Sequence, residues 1–152
     1  MLYSLLGMQL GFNEKIKASF TTWTGNKAEG SSSTSLGRVA REDLENLISQ
    51  GLLAYEREYR DMKFHMFDES IASLVTVNRI LSKPGGCLLL VGESGVGRRN
   101  AATLVTHMLN MEFFTPKITR DYEIKEFKRD LKQVLQTAGI DGNPIVLFME
   151  DY

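Results

Sequence analysis

The apolar run Cys87, Leu88, Leu89, Leu90 and Val91 passes directly into Gly92, Glu93, Ser94, Gly95, Val96, Gly97, Arg98, Arg99 and Asn100. A helical spacing of Ala101, Leu104, Val105 and Met108 follows at once. A short apolar run bounded by glycines is the pattern of a fully buried, parallel-sheet strand. Strand, glycine loop and helix in succession is the setting of a GxxxxGK[ST] phosphate loop, in which backbone N–H groups turn inward at the positive end of the helix. Gly92 and Gly97 supply the frame of that loop, Gly95 adds backbone freedom and Ser94 is small. The stretch is expected to be the nucleotide-binding half of a P-loop domain, with a purely structural glycine turn as the weaker alternative.

Two positions depart from a working loop. Arg98 stands where the lysine reaches the β- and γ-phosphates, and Arg99 where a Ser/Thr hydroxyl binds Mg²⁺. A guanidinium keeps the charge but is wider and planar. Arg99 has no oxygen at all, and Asn100, about 100° further round the helix, is a poor replacement. The acidic end of Ile145–Asp151 departs too. An NTPase places an Asp there for Mg²⁺, followed in many families by a Glu that orients water. Here Glu150 precedes Asp151, so each side chain is wrong by one methylene for its task. Errors of about 1 Å can cost ~100-fold in rate, so phosphate binding is expected to outlast hydrolysis.

The rest of the chain extends an alternating pattern. Leu44, Leu47, Ile48, Leu52, Tyr55, Tyr59 and Met62 fall at helical spacing over a charged outer face. A second helix is expected from Asp68 as N-cap, with Phe67, Ile71, Leu74, Val75 and Leu81 on one side and residues 82–86 as its stop. Residues 111–115 read as a short strand closed by Pro116. Ile124, Phe127, Leu131, Val134, Leu135 and Ala138 define a helix that Gly139 would end as C′ residue. Residues 145–149 read as a second buried strand after a turn at 141–144. Strands alternating with helices imply an α/β fold, a three-layer P-loop NTPase subdomain with a mainly parallel sheet. The Gly/Ser-rich residues 27–36 divide the chain into an N-terminal segment and linker of unknown role, 1–36, and the P-loop module, 37–152.

Composition narrows the classes of function. With 18 basic and 19 acidic residues in 152, net charge −1, nothing draws the chain to nucleic acid or anionic lipid. No apolar run reaches the ~20 residues of a membrane helix. The apolar N-terminus lacks the basic flank and cleavage site of a signal peptide. The single cysteine, Cys87, excludes an internal disulfide framework, suits a reducing compartment, and on a buried strand should be inert. His65 and His107 lack partners at metal-ligand spacing and read as surface or packing residues. Lys125, Lys128, Arg129 and Lys132 alternate with Glu123, Glu126 and Asp130, the pattern of a solvated helix face.

Three stretches resemble a known family. Residues 67–71, 77–81 and 84–92 look like the opening of an AAA+ module of a dynein heavy chain. Phe114–Ile118, Phe127–Leu131 and Val134–Gly139 are similar to the fourth such module in particular, where a DL…VL…AG helix leads to the second acidic motif. The double arginine and the Glu150, Asp151, Tyr152 ending are most similar to the cytoplasmic dynein of retrograde intraflagellar transport.

The resemblance, covering about residues 41–152, implies one module of a six-module motor ring, with a regulatory ATP- or ADP-binding site. By position, Gly92 to Asn100 would surround the phosphates, Glu150 would face a Mg²⁺ ion and Asp151 the attacking water. It also implies that the sensor strand, arginine finger and helical lid follow Tyr152, so that this stretch is an AAA+ large subdomain truncated after its Walker B strand, leaving an exposed sheet edge. The partners implied are neighbouring AAA+ modules. Microtubules and the light and intermediate chains are reached through the whole motor, in cytoplasm and cilium. The parent motor would be an ATPase, while this fragment alone would lack a complete catalytic cycle. A ring spacer that binds no nucleotide and an independent active NTPase are the competing functions.

Overall fold

The computed structural model describes residues 19–24, 35–93 and 95–150. The expectations for the N-terminal 18 residues, for residues 27–34 of the Gly/Ser-rich stretch, for Ser94 and for Asp151 lie outside the described residues.

Strands β1 (Ser19–Thr21) and β2 (Gly37–Val39) pair antiparallel, Ser19 opposite Val39. Helices α1 (Arg41–Glu58), α2 (Asp68–Leu81) and α3 (Arg98–Met108) follow. The chain then runs through β3 (Glu112–Phe114), α4 (Ile124–Gly139) and β4 (Ile145–Leu147). β3 and β4 are parallel, Glu112 opposite Ile145 and Phe114 opposite Leu147, so α4 is the crossover of a β–α–β unit. Beyond its register, the Phe114 carbonyl accepts the Phe148 N–H at 2.8 Å, and the Phe113 and Phe148 rings lie 5.4 Å apart.

The core lies among α1, α2 and α3. Leu44 and Ile48 on α1, Ile71, Leu74 and Val77 on α2, and Leu104 and Val105 on α3 are all fully or almost fully buried. Spacings of three and four residues, with Ala101 joining Leu104 and Val105 on α3, put each set on one helix face, and burying each large side chain contributes ~1.5–3 kcal/mol. At the mouth of this core Arg41 reaches both Glu45, one turn on at 2.5 Å, and Asp68 at the start of α2, 2.6 Å away. Arg41 is partly and the carboxylates are well exposed, so solvent screens both pairs and each contributes little.

α2 starts one residue earlier than its sequence suggests. Phe67 is the N-cap residue, and its N–H donates to Ser70 Oγ at 2.9 Å. Asp68 is instead the first helical residue beside Glu69, where a carboxylate is favoured by the unpaired N–H groups of the first turn. The helix ends in a tight turn at 82–86. A Cβ on Gly86 would sit 2.1 Å from the Ile80 carbonyl oxygen, a backbone clash that leaves room for glycine alone.

The run after Gly86 corrects the sequence reading. Residues 87–91 pair with no strand among the described residues. Exposure alternates along them, as it does along a strand: Leu88 and Leu90 pack against the core, while Leu89 and Val91 are 84% and 83% exposed. Cys87 is exposed as well, and is not the buried thiol expected from the run. β4 is half-buried and stops at Leu147, leaving Met149 exposed. On α4 only Val134 is buried, and Ile124 and Leu135 stay in the open. Gly139 is its last helical residue, not C′, and the left-handed conformation falls at Gly142.

Candidate functional site

The glycine loop lies between the Leu88–Val91 run and the start of α3. Gly95 and Gly97 have φ of +87° and +82°, the left-handed region that side chains rarely adopt. Nothing crowds a Cβ at either position, so conformation, rather than space, requires glycine there. Gly97 is the N-cap residue of α3 and its carbonyl accepts the Ala101 N–H at 2.9 Å. The N–H groups of Arg98, Arg99 and Asn100 then head the helix with no earlier turn to bond to. No acidic residue stands in that first turn, so the positive end of α3 is left for an outside anion.

The two arginines go to different places. Arg98 is half-buried and lies back along the loop, its Nη1 donating to the Leu90 carbonyl at 3.4 Å. Arg99 points across to the end of the β4 segment, where its Nη1 is 2.5 Å from Glu150 Oε2. The two side chains are 47% and 26% exposed, so this ion pair works against substantial solvent screening. Glu93 and Val96 are exposed on the loop, and Asn100 is half-buried in α3. The structure therefore brings Glu150 to the loop, where it meets Arg99.

Magnesium requires near-octahedral oxygen coordination. Among the described residues the side chains do not offer it: the hydroxyl position holds a guanidinium, and that guanidinium already engages Glu150. No cluster of His, Cys, Asp and Glu suited to a metal occurs among the described residues. A nucleotide fits better. The loop opens onto a cleft of about 1760 Å³ lined by Leu89, Val91, Gly95, Arg98, Ile145 and Glu150, among others. Ligand pockets usually measure ~300–1,000 Å³, so this cleft is more than a shaped pocket, and any specificity must come from the loop.

The remaining candidates are structural. His107 Nε2 lies 3.2 Å from Glu58 Oε2 and the ring meets Tyr55 and Tyr59 edge-on, fastening α3 to the end of α1. Lys125, Lys128, Arg129 and Lys132 are all exposed. Sequence reasoning passed over Asn78, which is fully buried on α2. Its Oδ1 accepts the Thr22 N–H and its Nδ2 donates to Thr22 Oγ1, both at 3.0 Å. A lone amide among Leu74, Val75 and Val77 was the available signal.

The family described as P-loop containing dynein motor region D4 matches residues 62–152. Cytoplasmic dynein 2 heavy chain 1 of Chlamydomonas reinhardtii is 38% identical over 157 aligned residues, covering 100% of this chain and 4% of that protein. The human protein of the same name is 47% identical over 117 residues, 77% of this chain and 3% of its own length. That of the sea urchin Tripneustes gratilla is 41% identical over 140 residues, 88% of this chain and 3% of its own. The chain thus spans a few per cent of the length of the curated relatives it matches. A loop of this shape at the head of α3, within a matched stretch that runs through β4, places the chain in the dynein heavy chain family, in the P-loop region D4 of the motor.

Proposed function

We propose that this chain is a nucleotide-binding AAA+ module of a dynein motor that holds ATP or ADP with little or no hydrolysis. The observation that supports it is the loop at α3: two left-handed glycines, Gly95 and Gly97, set free N–H groups at an un-neutralised helix N-terminus facing an open cleft. Gly92 to Asn100 would cradle the phosphates, and Arg98 would swing from the Leu90 carbonyl to meet them. Hydrolysis is weak because Arg99 replaces the hydroxyl and Glu150 precedes Asp151 in the acidic pair. The likeness to dynein 2 heavy chains supports a place in the ring of a retrograde ciliary motor, within cytoplasm and cilium. The stretch itself would be a three-layer subdomain with a mainly parallel sheet, its contacts would be with neighbouring AAA+ modules, and the microtubule and accessory chains would be met only by the whole motor.

A second reading has one observation behind it. Both arginines are satisfied within the chain, on Leu90 and Glu150, as a ring spacer without ligand would have them. Titration calorimetry of the chain with ATP and with ADP separates the two. Heat of binding at or below millimolar nucleotide is expected, and its absence at millimolar concentration leaves the spacer. Steady release of phosphate would show an active NTPase and overturn both.

A further inference from the structure

We infer that the Arg99 guanidinium replaces the divalent metal of this site, serving as a built-in counter-ion that exchanges between Glu150 and the nucleotide phosphates. The inference rests on the nucleotide reading above, and adds how the site is charged and gated.

A metal-dependent phosphate site needs a cation held between an acidic side chain and the phosphate oxygens. Here that place is served covalently. Arg99 sits on the second helical residue of α3, beside the loop N–H groups, and its Nη1 meets Glu150 Oε2 at 2.5 Å. The two residues stand 51 positions apart, so the pair ties the head of α3 to the end of the β4 segment. A divalent ion at Glu150 would be driven against a fixed positive charge, which repels it and competes for the same oxygen. A guanidinium, by contrast, offers five N–H donors in a planar fork, enough to address a phosphate without a metal. Its pair with Glu150 is about half exposed on the arginine side, so it can open at little cost when a stronger anion arrives. A di- or triphosphate carries more charge than one carboxylate and also meets the helix N-terminus, which Glu150 does not. Arrival of nucleotide would therefore release Glu150 and untie α3 from β4.

The test uses the full 152-residue chain and a fluorescent N-methylanthraniloyl-ADP probe, titrated in excess EDTA and in millimolar Mg²⁺, with circular dichroism confirming that each variant keeps its helices. The wild-type chain should bind the probe equally, within about twofold, in both conditions, since its counter-ion is its own. Arg99→Thr should bind at least ~10-fold more weakly in EDTA and recover part of the loss in Mg²⁺, as a hydroxyl and a free carboxylate become available. Glu150→Gln, which changes no loop residue, should bind ~3-fold more tightly in EDTA because the competing anion is gone. Wild-type binding that collapses in EDTA overturns this inference while leaving the nucleotide reading standing. Unchanged EDTA affinity in Glu150→Gln overturns the exchange. Absence of probe binding in both conditions, for wild type and variants alike, overturns the nucleotide reading and this inference with it.

Discussion

The two sides of the Leu88–Leu90 run differ more than any other neighbouring regions of the molecule. On one side α1, α2 and α3 close around leucines and valines that water does not reach. On the other, Leu89, Val91, Ile124, Leu135 and Ile140 remain exposed around a wide cleft and along α4. What separates the two sides is whether each element finds a partner for its apolar face. A helix satisfies its own backbone and needs only a neighbouring face, and the three helices supply one another. An extended run needs a ladder partner for every other residue, and 87–91 has none among the described residues. Among the described residues, most of the buried side chains are helical.

That contrast can be broken at its strongest point first. Leu104→Ala removes a fully buried side chain where α3 meets the other helices, and should cost ~2–5 kcal/mol in urea unfolding. An effect below half a kcal/mol would mean that the helical core is not where stability resides. Gly86→Ala follows, since its Cβ must push against the Ile80 carbonyl. A loss of ~1–3 kcal/mol is expected by the same measurement, and a neutral result would show that the turn relaxes freely. Asn78→Leu keeps the branched side-chain shape but strands the Thr22 N–H, and should cost ~1–3 kcal/mol. Leu89→Ser sits on the open side and should change stability by no more than ~0.5 kcal/mol, while lowering aggregation in a light-scattering assay. A large destabilisation by that change would show that the cleft face is covered after all.

The same division explains what the sequence disclosed. Leu44, Ile48, Ile71, Leu74 and Leu104 could be placed on buried faces by spacing alone, because helical periodicity is local. The glycine loop was legible for a similar reason, its conformation being set within a few residues. The Cys87–Val91 run was misjudged because apolar content reports what a strand would bury, not whether a neighbour is there to bury it. The Asp68 side chain suits the N-cap role, but Ser70 reaches back to Phe67 and fixes the start one residue earlier. The Arg99–Glu150 and Asn78–Thr22 contacts join residues 51 and 56 positions apart, and no local pattern announces either.

The Asn78–Thr22 contact also lays down a load path. Thr22 follows β1 directly, and β1 on its own is three residues clipped to β2, a pairing that can be unzipped one bond at a time. With two bonds to a buried amide, tension drawn along β1 is carried sideways into α2, four residues before its C-cap at Ser82. The turn at 82–86 and the glycine loop come next along the chain. A strain applied at the N-terminal strand pair is thus passed to the helix that leads, through the turn at 82–86, towards the glycine loop.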